Sequence, residues 1–102
     1  MNDETKEMLV IAMEESAEIA QACSKAIRFG INNHHPGKSS INTHANEIMT
    51  EFFQLQAIIE DLQKKNILPK YTGERVRFIK REKLDKIKKF MEQKKEKNYA
   101  SK

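Results

Sequence analysis

An all-α fold is what this chain predicts: an antiparallel bundle of three long helices, its core completed by oligomerisation. Three observations carry that expectation. Apolar residues recur in steps of three and four along most of the 102 residues, the spacing of a buried stripe on an α-helix. Breakers are sparse, two Pro and three Gly, and they fall between the periodic stretches. With 38% hydrophobic and 33% charged residues, the composition suits one small domain and excludes a multidomain enzyme. Cys23, the single cysteine, rules out an internal disulfide and a cysteine-based zinc cage, so packing must supply the stability.

The first helix begins at Asn2 or Asp3, either of which can cap it, with Glu4 and Glu7 in the first turn where the helix dipole favours negative charge. Leu9, Ala12, Met13, Ser16, Ile19, Ala20, Cys23, Ala26 and Ile27 form its stripe, which makes Cys23 a small core residue. Gly30 stops it as a left-handed cap, and the turn formers that follow predict a loop over 31–42. His34 and His35 in that loop, with His44 at the start of the next helix, read as solvated, because a histidine metal site needs fixed partners that the loop does not offer.

The second helix starts at Asn42 or Thr43 and carries Ile48, Met49, Phe52, Phe53, Leu55, Ile58, Ile59 and Leu62 before Pro69 forbids continuation. Its stripe is wider than one neighbour covers, which predicts a homodimer or tetramer. Val76, Ile79, Leu84, Ile87, Phe90 and Met91 trace a third, narrower seam among many Lys and Arg. Residues 1–93 are expected to form one helical domain and 94–102 a frayed basic tail. No apolar run approaches the roughly 20 residues that span a bilayer. The acidic start Met1-Asn2-Asp3-Glu4 is unlike a secretory signal, so a cytoplasmic protein without membrane partners is expected.

The net charge of +4 conceals an asymmetry: ten acids and four bases up to Leu62, then fifteen bases and five acids. In the acidic part, Glu15 and Glu18 lie about 60° apart on neighbouring turns and can address one point beside the helix. Glu47, Glu51 and Gln54 converge similarly on the second helix. Glutamates at these spacings are common on solvated helices, but these adjoin the apolar seams. Carboxylates gathered there repel one another unless a cation intervenes, and oxygen ligands suit Mg²⁺ or Mn²⁺. Lys25 follows Glu18 by seven residues, about 10 Å along the axis, with Arg28 one turn beyond, a layout that a polyphosphate fits.

The stretch from Glu14 to Gly30, Glu-Glu-Ser-Ala-Glu-Ile-Ala-Gln-Ala-Cys-Ser-Lys-Ala-Ile-Arg-Phe-Gly, resembles the first helix of phage-type MazG-like nucleoside triphosphate pyrophosphohydrolases. Residues from Glu51 to Leu62 are similar to that family's second metal-binding helix, and the likeness covers about two thirds of the chain. The resemblance implies an all-α enzyme that cuts a nucleoside or deoxynucleoside triphosphate to the monophosphate and pyrophosphate with Mg²⁺. It implies a ligand pair at Glu15 and Glu18 and a second at Glu51 and Gln54, where the family pattern is Glu-x-x-Asp. Gln54 departs from that pattern, offering an oxygen without charge, and Glu47 one turn earlier is the alternative carboxylate. Glu14 or Glu47 is then the proton acceptor for the attacking water, and Lys25 and Arg28 receive the charge of the phosphates. Phe29 either stacks on a base or closes the helix end by packing.

A different class stays open beside the enzyme. The basic third helix could serve a non-catalytic module that binds nucleotides, nucleic acid or an acidic partner; nucleic-acid contacts of that kind weaken steeply with salt.

Overall fold

The computed structural model describes residues 1–38 and 40–100, the side chains of 99 and 100 excepted. Among these residues the chain forms three α-helices and no strand: α1 (Asp3–Phe29), α2 (His44–Lys64) and α3 (Gly73–Ala100). No helix among them is long and apolar enough to cross a membrane.

Each helix begins where a short polar side chain can take up a free amide. The Asn2 side-chain oxygen accepts the Thr5 N–H at 2.7 Å, and Thr43 Oγ1 accepts that of Asn46 at 3.2 Å. Thr72 Oγ1 does the same for Arg75 at 3.1 Å. α1 stops at Gly30, whose φ of 96° is open to glycine and strained for other residues. α2 ends sooner than Pro69 requires. Asn66 adopts a left-handed φ of 59°, its N–H donates to Gln63 O and that of Ile67 to Leu62 O, both at 3.0 Å, which is the Schellman pattern.

The chain divides into two compact units, Met1–Pro69 and Lys70–Lys102. The first is an antiparallel hairpin of α1 and α2, whose direction is fixed by Lys25 beside Glu47 at 3.3 Å and Lys65 beside Glu4 at 3.4 Å. Its seam follows alternating steps of three and four residues: Thr5, Met8, Ala12, Glu15, Ile19, Ala22 and Ala26 on α1, and His44, Ile48, Glu51, Leu55, Ile58 and Leu62 on α2. That spacing is the one that keeps two helices in register along their length.

The α1 seam is therefore turned relative to the expected stripe. Ala22 is fully buried, whereas Cys23 is exposed, Met13 is 70% exposed and Ile27 85%. Cys23 is not a core residue. Small side chains at Thr5, Ala12, Ala22 and Ala26 give α2 a close approach that Met13, Cys23 and Ile27 would obstruct. The loop between the helices folds back on itself through a His34–Thr43 bridge and a hydrogen bond from His44 N–H to Asn33 O at 2.8 Å.

The second unit is α3 with its lead-in segment. It holds Lys94 within the helix, which continues to Ala100, so the tail expected to fray from Lys94 is helical as far as the structure describes it. Ser101 and Lys102 lie outside the described residues.

Candidate metal centre

Two acidic residues occupy positions on the hairpin seam where a coiled pair of helices ordinarily places apolar side chains. Glu15 on α1 and Glu51 on α2 are both half-buried, and each has one carboxylate oxygen, Oε2, fully shielded from solvent and without a hydrogen-bond partner. Glu18, on the turn after Glu15, completes a group in which one oxygen from each carboxylate lies within 4.8 Å of the others. When all three are ionised, carboxylates at that separation have no donor among them, and desolvation sharpens their repulsion.

The strain falls on Glu51. A proton shared with the Glu18 carboxylate, then burial, then the charges of Glu18 and Glu15 push its carboxyl up to about 7 from an ordinary 4.5. A divalent cation is the other means of neutralising such a group. The donor set fits a hard cation: oxygen ligands from two helices, with shielded lone pairs facing inward.

One turn before Glu51, Glu47 meets Lys25 Nζ at 3.3 Å and His44 Nδ1 at 3.6 Å. Partial burial would raise the Glu47 carboxyl, but the Lys25 hydrogen bond and charge, with His44 and Lys38, outweigh it and hold the group below its ordinary value. A polar cleft of about 290 Å³, lined by Lys38, Asn42, Asn46, Thr50, Glu47 and Glu51, runs along this end of α2.

Of the residues singled out in the sequence, Glu15, Glu18 and Glu51 are brought together. Glu14 and Gln54 are exposed, and Glu47 is engaged by Lys25. Arg28 lies over the Phe29 ring at 5.2 Å, and Phe29 stacks on His44 with ring centroids 6.0 Å apart. Phe29 itself stays half-exposed at the helix end.

His44 departs from its expected solvation: only 1% of it is exposed. Its burial comes from the loop folding over the first turn of α2, a tertiary event without a local signature. Thr43 as the helix cap was the one available signal, because it fixes His44 as the first helical residue, beside the end of α1.

Comparisons with protein families, with curated proteins and with solved structures found nothing that this chain matches.

Proposed function

We propose that the α1–α2 hairpin is a divalent-metal-dependent hydrolase that cleaves a nucleoside or deoxynucleoside triphosphate to the monophosphate and pyrophosphate. The observation that carries this is the convergence of Glu15, Glu18 and Glu51, with two shielded, unpartnered oxygens on a helix seam. The sequence likeness of Glu14–Gly30 to pyrophosphohydrolases supplies the reaction class.

Glu15, Glu18 and Glu51 would hold Mg²⁺ or Mn²⁺, with Gln54 or Glu47 as a further oxygen donor. The ion supplies Lewis acidity and charge neutralisation at the phosphates. The remaining work belongs to the side chains around it. Lys25 and Arg28, one turn apart toward the end of α1, would bind the triphosphate and offset its negative charge. A phosphate that takes Lys25 must displace Glu47, and Glu47 is ionised at neutral pH, so it becomes an available proton acceptor for water. Glu14, exposed beside Glu15, is the other candidate for that role. Met49, Phe52 and Phe53, exposed on α2, offer a face for a second copy of the hairpin in a homodimer or tetramer.

The test is direct. With Mg²⁺ and a panel of nucleoside and deoxynucleoside triphosphates, the protein releases pyrophosphate, and Glu18→Gln abolishes the release. Absence of pyrophosphate from every nucleotide removes the hydrolase.

A binding module remains the second proposal, favoured by the eleven bases and five acids of α3. It predicts salt-dependent nucleic-acid binding that survives loss of Glu15 and Glu18.

A further inference from the structure

Beside the carboxylate cluster, the hairpin holds a second concavity that the proposed chemistry does not use. A cavity of about 390 Å³ is lined by Phe29, Asn33, His34, His35, Pro36 and His44. Its walls are rings, with few polar groups, as expected of a pocket for a flat organic ligand. Phe29 stacks on His44 at an interplanar angle of 29°.

The informative member is His44. It is 99% buried, and neither ring nitrogen has a hydrogen-bond partner among the described residues. A buried imidazole left this way carries a desolvation cost that a ligand can relieve. The Glu47 carboxylate faces Nδ1 at 3.6 Å, beyond hydrogen-bond length but close enough to favour the tautomer protonated there. Nε2 is then an acceptor without a donor. The ring nitrogens of His34 and His35 nearest their backbone contact carbonyls at 3.1 Å, so those two rings serve as walls.

The geometry points to this cavity as the nucleobase site: the base stacks against Phe29 and the loop imidazoles, and a shift of the His44 ring, shielded in this structure, lets Nε2 accept an N–H from it. This rests on the triphosphate reading above and adds where the base goes and what reads it. Register supports the assignment. His44 precedes Glu51 by seven residues, about 10 Å along α2, an interval that a ribose can bridge between a base and its phosphates. Glu47 lies between them on the same helix face, joined to Lys25. A base seated at His44 therefore directs its phosphates along Lys25 toward the carboxylates.

The experiment compares ligands that differ in the base alone. Calorimetric titrations with Mg²⁺ use non-hydrolysable α,β-methylene analogues of the adenine, guanine, cytosine and thymine triphosphates, and inorganic tripolyphosphate. At least one analogue should bind about tenfold more tightly than tripolyphosphate, the scale of one stacked base. Phe29→Ala, at a half-exposed position, should erase that preference while leaving tripolyphosphate affinity in place. His44→Phe keeps the ring and removes the acceptor, and should reduce the preference for the favoured base.

Should nucleotides and tripolyphosphate bind equally, or should the preference survive both substitutions, the base site is wrong and the triphosphate reading stands. If neither ligand class binds, both fall together.

Discussion

The α1–α2 hairpin and α3 use similar materials, long helices in which apolar residues recur among many charges, yet they place the charge differently. In the hairpin, Glu15 and Glu51 stand on the seam itself, between residues such as Ala12, Ile19, Ile48 and Leu55. On α3, Lys80 and Lys83 interrupt the apolar series from Val76 to Met91, and the cations continue around the helix. Charge on a packed seam creates a defined chemical problem that a ligand can solve. Charge distributed around a single helix makes a field without a fixed geometry.

The largest consequence concerns Glu51. Glu51→Gln should lower the pyrophosphate release rate at least about 100-fold, the scale of losing charge stabilisation worth several kcal/mol. The same substitution should raise the melting temperature of metal-free protein at pH 8, because an amide takes the place of a carboxylate that is forced to ionise beside two others. Lys83→Gln on α3 should change neither quantity. Loss of activity with loss of stability would make Glu51 an ordinary structural residue and erase the contrast.

Packing gives the next effect. Leu62 is fully buried on the hairpin seam, so Leu62→Ala should cost about 2–5 kcal/mol in denaturant unfolding. Leu84 is 65% exposed on α3, and Leu84→Ala should stay within about 0.5 kcal/mol. Equal losses would mean that α3 is packed as tightly as the hairpin.

The acidic cluster also predicts the sign of a pH effect. Glu51 titrates near 7 when folded against an ordinary 4.5, so between those values the unfolded chain gives up a proton that the folded chain keeps. Its effect on metal-free stability is absent below about 4.5, grows as pH rises, and is complete above 7. Glu47 has the opposite sign: its stabilisation is present above 4.5 and is lost only as pH falls through its lowered value. Melting curves at pH 5 and pH 8 in chelator should therefore show a larger decline for wild type than for Glu51→Gln, a difference that excludes histidine titration. Millimolar Mg²⁺ should remove it. A difference that persists in Mg²⁺ would mean that the ion does not meet Glu51.

Much of this arrangement is legible in the sequence, and what is not depends on tertiary contact. The caps at Asn2, Thr43 and Gly30 are local, set by side chains that bond within a few residues. The gathering of Glu15, Glu18 and Glu51 needed only helical periodicity and antiparallel pairing. Rotation of the α1 seam from Cys23 to Ala22 was hidden, because hydrophobicity marks what prefers burial whereas close helix contact selects small side chains. Glu15, which adjoins the predicted seam, lies on the observed one. The burial of His44 depends on where residues 31–43 return, which no periodicity encodes.

The smallest effect tests the boundary between the two regions. Pro69 is the evident breaker in the sequence, but α2 stops at Lys64 because Asn66 takes a left-handed conformation that satisfies the last carbonyls through Ile67 and Asn66. A side chain with Cβ pays roughly 1–2 kcal/mol in that region, and Asn is among the few that tolerate it through local hydrogen bonding. Asn66→Ala should therefore destabilise the hairpin by about 1 kcal/mol, whereas Asn66→Gly should be neutral within about 0.5 kcal/mol. Thermal unfolding distinguishes these outcomes. If alanine matched asparagine and helicity rose, α2 would have grown toward Pro69, and the proline rather than Asn66 would be its stop.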